Sequence, residues 1–355
     1  MSRQDSAGTL KTGRQNGYLR IATEEAFAPP EMMPLYREVL DGPDPDPGFV
    51  SLMGFYMRSP SERARFIFER LQDLGTLRLA DMDARGIDMQ VIALTAPGTQ
   101  VLSKDKAVAL AELANDQLGE ACRTHPDRFV GMAACAPQDP AGAAKEIERA
   151  VSKYAMRAVI INSHTNGEYL DNPKFSPILE AAQALDVPIY LHPNTSPRSM
   201  IAPLLEAGLD GAIFGFGVET GMHALRLITS GALDRFPKLR IILGHMGEAL
   251  PFWMYRLDFM HKAGVLAARY ESMKPIKKRP SDYLRENFYI TNSGVAWEPA
   301  IKFTQDVIGV DRVLYAMDYP YQCPPEEVMA LDGMAMSMDH RKMFFQTNAE
   351  KVFKL

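Results

Sequence analysis

The chain has 355 residues, of which 46% are hydrophobic and 23% charged, a composition typical of a globular protein. Its formal net charge is −5 and its densest basic run is KPIKK at 274–278, so we expect no nucleic-acid partner. No apolar run approaches the roughly 20 residues of a membrane span, so we expect no membrane partner either.

Two further features indicate the compartment. Cys122, Cys135 and Cys323 show neither CxxC nor other metal-site spacing, which is typical of reduced thiols. The polar N-terminus, MSRQDSAGTLKTGRQNG, lacks the apolar core of a signal peptide. We therefore expect a cytoplasmic protein in which residues 1–18 form a flexible arm ahead of a single domain at 19–355.

In chain order, short strand-like runs alternate with amphipathic helical stretches. Eight strands, each followed by a helix, predict an α/β fold of the (β/α)8 TIM-barrel type. An open doubly wound sheet is the alternative, but it usually has a glycine-rich phosphate turn after its first strand, and none is present. The predicted strands lie at 19–23, 89–95, 129–135, 158–162, 188–192, 240–245, 288–292 and 313–317. One of the helical stretches between them is predicted at 61–86.

Two connections are long, and extra helices are predicted from Pro325 to the C-terminus. Residues 25–60 follow the first strand, and residues 193–216 follow the fifth and end in the glycine-rich GAIFGFG. Both connections leave the carboxyl ends of strands, where barrel active sites are built. They are candidate lids and pocket walls.

Ionisable side chains stand at four of these strand ends. Strand one stops at Glu24, strand five at His192, strand six at His245 and strand eight at Asp318. A single histidine after a strand is usually structural, but four such groups at one level of a barrel are harder to explain that way. Two carboxylates with one or two imidazoles suggest a divalent-metal site.

Several motifs carry a resemblance to a known family. LHP at 191–193, GHMGEALP within 225–258, NSGV at 292–295 and YAMDYPY at 315–321 are similar to the decarboxylase branch of the amidohydrolase superfamily. Within that branch, RIATEEAFA, EAGLDGAIFGFGVETGMH and NSGVAWEPAIKF resemble the 5-carboxyvanillate decarboxylases. The resemblance runs from about residue 19 to the C-terminus. It implies non-oxidative, metal-dependent loss of CO2 from an ortho-hydroxybenzoate such as 5-carboxyvanillate, a step in the catabolism of lignin-derived aromatics.

The sequence departs from the wider superfamily in ways that bear on the metal. Many members carry His-x-His or Glu-x-His after strand one, whereas here Ala26 occupies the second histidine position. The lysine needed for a carbamate-bridged pair of metals is also missing between 158 and 164. A single ion is therefore predicted, with Glu24, His192 and Asp318 as ligands. This oxygen-rich set favours Mn²⁺ over Zn²⁺ or Mg²⁺.

The remaining roles follow from strand alternation and from the resemblance. Alternation turns Glu25 away from Glu24, so Glu25 is taken as structural, as are His164, His223 and His261, while Asn292 suits either role. The resemblance implies Asp318 as proton donor to the ring and His245 as its neighbour in proton transfer or phenolate binding. It also implies substrate-binding roles for Arg63, Phe216, Arg256, Tyr321, Thr95 and Leu52.

Three alternatives stay open, together with the state of assembly. A hydrolase or hydratase of the superfamily would be expected to use a metal-activated water and often the histidine that Ala26 replaces. A γ-resorcylate-type decarboxylase would differ only in pocket shape. A non-catalytic binding protein on a barrel would have no need to retain all four strand-end groups. The family resemblance implies a homodimer or homotetramer, with Arg256 reaching a neighbouring site across a subunit contact.

Overall fold

The chain folds around one sheet of eight parallel strands in the order β1 to β8, with helices between them, which confirms the predicted (β/α)8 barrel. The structure, a computed structural model, describes residues 10 and 12–355. The barrel is closed between β1 and the segment after β8, where Thr23 N donates to Tyr315 O and Ala26 N to Tyr319 O. The strands are β1 Ile21–Phe27, β2 Met89–Leu94, β3 Phe129–Ala133, β4 Ala158–Asn162, β5 Ile189–His192, β6 Ile241–Leu243, β7 Phe288–Thr291 and β8 Val313–Leu314.

The strands form where β-branched and other apolar residues run without alternation. All residues of β4 (AVIIN), β6 (IIL) and β7 (FYIT) are buried. Such runs are expected in a parallel sheet whose two faces are covered, one by the barrel interior and one by helices. The hydrophobic core is therefore continuous from the barrel axis to the inner faces of the helices.

The helices begin and end at identifiable polar residues. In Glu62–Leu71, the Ser61 side chain accepts a hydrogen bond from Ala64 N and caps the first turn. The single helix predicted at 61–86 is wrong: Asp73 Oδ1 accepts from Gly75 N and Arg78 N, which ends one helix and starts a second. The α-helices are Met32–Leu40, Pro47–Phe49, Phe55–Arg58, Glu62–Leu71, Thr76–Ala84, Lys104–Thr124, Pro140–Tyr154, Ser176–Ala184, Ala202–Glu206, Gly215–Thr229, Ala232–Arg235, His245–Glu248, Leu250–Leu266, Pro280–Glu286, Glu298–Ile308, Pro325–Asp332, Met338–Lys342 and Asn348–Phe353, with 3-10 turns at Gly13–Asn16, Pro173–Phe175 and Val310–Arg312 and π-turns at Val50–Gly54 and Met343–Thr347.

Three sequence-based boundaries differ from the structure. β1 continues to Phe27 and does not stop at Glu24, because its backbone keeps pairing with β2 beyond that residue. The long connection after β1 is not an open loop, since short helices fill much of 32–58. The connection after β5 contains only Ala202–Glu206 before the long helix that begins at Gly215.

The end of the expected N-terminal arm is packed against the barrel. Gly13 N donates to Asp88 Oδ2, and the buried Tyr18 hydroxyl donates to Asp332 Oδ1. Gly13 and Tyr18, at the end of the expected arm, therefore contact the barrel domain, while residues 1–9 and 11 of the arm lie outside the described residues. Within the described part of the chain, no helix combines the length and hydrophobicity needed to cross a bilayer.

Candidate active site and metal centre

An irregularity in β1 carries Glu24 into the mouth of the barrel. The register between β1 and β2 shifts between Ala22 and Glu25, so β1 holds one residue more than its partner there. The Glu24 carboxylate is buried, and its Oε2 accepts hydrogen bonds from the Tyr190 hydroxyl and from Thr291 Oγ1, the latter at 3.0 Å. These two donors fix one carboxylate oxygen and leave the other directed at the site.

Glu24, His192 and Asp318 form a compact potential ligand set. One ligand atom from each residue lies within 4.8 Å of the others. Glu24 Oε1 is buried and, among the described residues, has no hydrogen-bond partner. A buried carboxylate oxygen without a donor is costly unless a cation satisfies it. The donor set therefore fits a single divalent metal ion.

The two histidines each use one ring nitrogen to fix their orientation. His192 Nδ1 donates to Pro193 O at 2.8 Å, which leaves the Nε2 lone pair free, 3.4 Å from Glu24 Oε1. His245 Nδ1 donates to Glu248 Oε1 at 2.8 Å, and its Nε2 is also 3.4 Å from Glu24 Oε1. Such an outer contact is the usual way in which proteins orient imidazoles at metal sites.

The surroundings shift the pKa values of these two histidines in opposite directions. Burial lowers the pKa of His192, which favours the neutral form that a metal requires. Burial also lowers the pKa of His245, but the carboxylates of Glu24 and Glu248 outweigh it and raise that pKa to about 10. His245 is therefore suited to carry a proton beside the ligand set.

The turn that carries His245 has an unusual backbone. Five consecutive residues, His245 to Ala249, have φ between 48° and 69°. A left-handed turn of L-residues is unfavourable and persists only where surrounding contacts enforce it, commonly at functional sites. Here it brings the side chains of His245 and Glu248 together.

Asp318 also lies in the left-handed region, with φ of 71°, just beyond the end of β8. Burial raises its pKa well above the ordinary carboxyl value, and the nearby Glu24 carboxylate adds to this while His245 opposes it. The neighbouring backbone is held by side chains from other strands: Ala316 N donates to Asn292 Oδ1, and Met317 N donates to Glu25 Oε1, both at 3.0 Å. Asn292 therefore has a structural contact, which the strand pattern left open.

A pocket of about 720 Å³ opens above His245 and Asp318. Phe216 lines it, together with other side chains from the start of helix Gly215–Thr229 and with Trp253 from helix Leu250–Leu266. Of the predicted substrate-binding residues, the structure places Phe216 in this pocket. Its apolar walls and polar floor suit a small aromatic carboxylate.

Arg63, Thr95 and Tyr321 gather on the β1–β2 side of Asp318. The Tyr321 hydroxyl and Thr95 Oγ1 are 2.6 Å apart, and an Arg63 guanidinium nitrogen donates to Tyr321 O at 2.8 Å. Leu52 lies in the π-turn Val50–Gly54, partly buried against the core, and it does not line the 720 Å³ pocket. The ring of Tyr56 stands 5.6 Å from that of Tyr321 and extends this side of the site.

Arg256 is not brought to the site within its own chain. It is exposed on helix Leu250–Leu266 and lines a separate groove of about 570 Å³.

His164 and His223 have both ring nitrogens in hydrogen bonds with neighbouring groups of the fold. His261 lies on the same helix as Arg256, and its buried Nε2 has no partner among the described residues.

Sequence reasoning missed several residues that contact the site. Tyr190 could have been found, because it stands two residues before His192 and therefore on the same face of β5. Glu248 follows His245 by three residues, but its contact depends on the left-handed turn, which no local pattern indicates. Thr291 and Tyr56 carried no signal of their own.

The fold and the site define a class of protein, a (β/α)8 barrel in which a glutamate, a histidine and an aspartate that could hold a metal ion meet at the carboxyl ends of the strands. The family described as Amidohydrolase matches residues 63–355. The chain belongs to this family, and its close relatives are decarboxylases, that is, carboxy-lyases, which confirms the resemblance drawn from the motifs.

Three of these relatives are informative. A crystallised 5-carboxyvanillate decarboxylase from Novosphingobium aromaticivorans, with manganese and 3-methoxy-4-hydroxy-5-nitrobenzoic acid bound, is 61% identical, with a TM-score of 0.96 over 98% of this chain and 100% of that one. A dihydroxybenzoic acid decarboxylase from Polaromonas sp. JS666, with manganese and 2-nitroresorcinol, is 34% identical, with a TM-score of 0.82 over 95% and 97%. The γ-resorcylate decarboxylase of Rhizobium sp. MTP-10005 is 35% identical over 95% of this chain and 98% of its own length.

Proposed function

We propose that the chain catalyses the metal-dependent, non-oxidative decarboxylation of an ortho-hydroxybenzoate, with 5-carboxyvanillate giving vanillate and CO2. The observation that carries this is the convergence of Glu24, His192 and Asp318 beneath a pocket with apolar walls, with Glu24 Oε1 making no hydrogen bond among the described residues. The 61% identity to a 5-carboxyvanillate decarboxylase favours this substrate over γ-resorcylate, whose decarboxylases are 33–37% identical. A role in the catabolism of lignin-derived aromatics follows from that substrate.

The metal is proposed to be one Mn²⁺ ion held by Glu24, His192 and Asp318. Two carboxylates and one imidazole suit Mn²⁺ better than Zn²⁺ or Mg²⁺, and the Novosphingobium and Polaromonas decarboxylases contain manganese. When bound, the ion supplies Lewis acidity that keeps the substrate phenol ionised and the ring oriented. The neutral His192, fixed through its Nδ1, presents Nε2 for ligation without rotation.

The substrate-binding groups surround Asp318 on two sides. Phe216 would stack against the aromatic ring from the pocket wall. Arg63, anchored through Tyr321 O, would face the substrate carboxylate, for which a guanidinium fork is well shaped. The Tyr321 hydroxyl, oriented by Thr95, would donate to a ring oxygen, and Leu52 would close this side from behind.

The chemistry needs a proton at the ring carbon that bears the carboxylate. Direct loss of CO2 would leave an aryl anion that the ring cannot delocalise. Asp318 would deliver its proton to that carbon and form a C–H bond. Cleavage of the C–C bond to the carboxylate then releases CO2, and its electron pair returns to the ring and restores aromaticity. A carboxylate bound to a cation is too acidic to hold this proton, so Asp318 would have to leave the ligand set when the substrate binds; burial and the Glu24 carboxylate would then raise its pKa, which suits a proton donor. His245, held by Glu248, would return a proton to Asp318 after each turnover.

The assembly is proposed to be a homodimer, or a tetramer built from such dimers, with Arg256 serving the partner's site. Helix Leu250–Leu266 exposes Phe252 (74%), Tyr255 (84%) and Phe259 (61%), far more aromatic surface than a free helix face usually presents. The groove beside it shares Trp253 and Leu257 with the active-site pocket, so a second copy seated there would reach that pocket.

The compartment is proposed to be the cytoplasm, in keeping with three free cysteines.

The decisive assay follows vanillate formation from 5-carboxyvanillate, with γ-resorcylate in parallel, before and after chelation and with Mn²⁺ restored. We expect turnover of 5-carboxyvanillate at least 100-fold above that of γ-resorcylate, lost on chelation and regained with Mn²⁺, since a pocket matched to one ring rejects misplaced polar groups by about that factor. Failure with both substrates would refute the proposal. Preference for γ-resorcylate would retain the reaction and change the substrate.

Two variants test the residue roles. Asp318→Asn is expected to lower kcat roughly 10³-fold even at saturating Mn²⁺, because proton donation typically contributes 10²- to 10⁴-fold. Near-normal turnover with Mn²⁺ bound would disprove the donor role.

Mixing inactive Asp318→Asn with inactive Arg256→Ala should restore about a quarter of wild-type activity if dimers exchange subunits, since half the dimers are mixed and each has one intact site. No restoration in exchanging dimers would place Arg256 outside the partner's site.

A further inference from the structure

We propose that Glu25 is a positioning residue: its buried carboxylate holds the backbone on both sides of Asp318 and thereby sets where the Asp318 side chain stands. The part of this proposal that concerns turnover rests on the proposed function, and the part that concerns metal affinity does not. Adjacent carboxylates in β1 would then have separate tasks, Glu24 at the metal and Glu25 behind the residue that completes the ligand set.

The contacts of Glu25 are directed at the chain around Asp318. Its Oε1 accepts from Met317 N at 3.0 Å and its Oε2 from Tyr319 N at 3.1 Å, so the two oxygens bracket Asp318. A third donor, Gln90 Nε2, lies 3.4 Å from Oε2. Glu25 is only 1% exposed, so water does not compete for these bonds.

The backbone at this point needs such support because the regular ladder has ended. β8 stops at Leu314, and in the described part of the chain the following segment forms backbone hydrogen bonds with β1 only at Tyr315 O and Tyr319 O. Among these residues the N–H groups of Met317 and Tyr319 have no backbone carbonyl partner, and buried N–H groups without acceptors are strongly unfavourable. The Glu25 carboxylate therefore replaces the missing strand partner across this gap.

Asp318 itself adds a reason for the support. Its φ of 71° lies in a region that L-residues adopt only where the surroundings hold them there. The Tyr319 N–H belongs to the peptide plane that follows Asp318, and the Met317 N–H fixes the residue before it, so Glu25 holds the chain on both sides of this φ. Without that restraint, the Asp318 backbone would be free to relax and carry its carboxylate away from Glu24 and His192.

The fold also places a cation to stabilise Glu25. Arg78 is fully buried, donates to Gln90 Oε1 at 3.0 Å and to Ala26 O at 2.6 Å, and lies 4.7 Å from the centre of the Tyr319 ring. Gln90 therefore links Arg78 to Glu25, and Arg78 also packs on one of the two residues whose N–H Glu25 binds. A buried carboxylate and a buried guanidinium in one connected network are more favourable than either alone.

The same contacts exclude two other roles for Glu25. It is not a metal ligand in this arrangement, because both of its oxygens accept hydrogen bonds on the side away from the ligand set. A neutral side chain of the same length could not replace Glu25 either. A glutamine would offer one carbonyl oxygen for two N–H donors and would turn its own N–H₂ group toward the other.

The test compares Glu25→Gln with Glu146→Gln as the matched control. Glu146, on helix Pro140–Tyr154 outside the active site, is another buried carboxylate; it accepts from Arg149 on the same helix and from Asn115 on helix Lys104–Thr124. Mn²⁺ affinity is measured by electron paramagnetic resonance without substrate, and kcat and KM are measured at saturating Mn²⁺. We expect Glu25→Gln to lose roughly 10- to 100-fold in Mn²⁺ affinity and in kcat, with KM nearly unchanged. Glu146→Gln should lose thermal stability only.

Several results would overturn the proposal. Mn²⁺ affinity and kcat for Glu25→Gln that match those of Glu146→Gln would show that Glu25 is an ordinary buried carboxylate. If Glu25→Gln does not fold, Glu25→Asp decides by the same criteria, because it keeps the charge but is too short to bind both N–H groups. If the wild-type protein decarboxylates neither substrate, the Mn²⁺ measurement alone decides, which separates this inference from the proposed function.

Discussion

The loop after β4 and the turn after β6 each begin with a histidine near the strand end, yet the two regions use it differently. His164 accepts from Gly167 N through Nδ1 and donates to Thr195 O through Nε2, so both ring nitrogens serve the fold. His245 donates to Glu248 through Nδ1, while its Nε2 faces Glu24 Oε1 across 3.4 Å without a hydrogen bond of the fold. Of these two histidines, only His245 keeps a ring nitrogen, Nε2, available to the candidate site.

The pKa values of His164 and His245 also differ between the two regions. Burial lowers the pKa of His164 and outweighs the Thr195 carbonyl and the Asp46 carboxylate, which raise it, so the neutral ring is favoured. His245 is also buried, but two facing carboxylates raise its pKa to about 10. The difference between the two regions therefore lies in the groups that face the ring, and it can be tested by changing matched residues in each.

The largest expected effect comes from replacing the two histidines in parallel. His245→Asn should lower kcat about 100-fold, since a positioned proton-transfer group contributes 10²- to 10⁴-fold. His164→Asn should leave kcat within about threefold of wild type while lowering the free energy of unfolding by about 1 to 3 kcal/mol, the cost of unpaired buried groups. Steady-state kinetics and urea unfolding measure both quantities. Equal losses of kcat in the two variants would remove the distinction.

The glycines of the two regions give the next effect. Gly247 has φ of 69°, and an added Cβ would lie 3.0 Å from Ile290 Cδ1 and from Pro251 Cδ. Gly167 has φ of 82°, but its Cβ would meet only Pro197 Cβ, at 3.8 Å. Gly247→Ala should therefore cost about 2 to 4 kcal/mol of folding stability, from strain and crowding together. Gly167→Ala should cost about 1 to 2 kcal/mol, from backbone strain alone. Urea unfolding that ranks them in the opposite order would contradict the packing of the turn after β6.

The smallest expected effect concerns pH and His223, which packs beneath the loop after β4. Burial, aided by His164 and Arg226, lowers its pKa from 6.5 to about 3. Between these values the unfolded chain binds a proton that the folded chain does not, so the free energy of unfolding falls as pH falls from 6.5 toward 3. His223→Gln should reduce the loss between pH 7 and pH 5 by about 1 to 2 kcal/mol. An unchanged pH dependence would mean that His223 is not the group responsible.

Much of the fold and part of the site were predictable from local sequence. The apolar runs in AVIIN and RIIL predict buried strands because consecutive apolar residues cover both faces of a strand, and such strands alternating with helices imply a barrel. The barrel in turn brings the carboxyl ends of its strands to one rim, so the sequence predicts that Glu24, His192 and Asp318 meet there. Boundaries were less predictable: the 61–86 helix is divided by side-chain bonds from Asp73 that no periodicity reveals.

What the sequence by itself determined is therefore the barrel, the family and the ligand-bearing strand ends, because these depend on hydrophobic pattern and residue type. Only the tertiary structure decided which oxygen of Glu24 stays free, how Glu248 turns to His245, and that Glu25 binds the chain around Asp318. The first two depend on side chains that other strands and the left-handed turn bring together, and the third depends on backbone N–H groups that the ladder leaves unpaired. Glu25 and Met317 are 292 residues apart in sequence, so no local pattern could indicate their hydrogen bond.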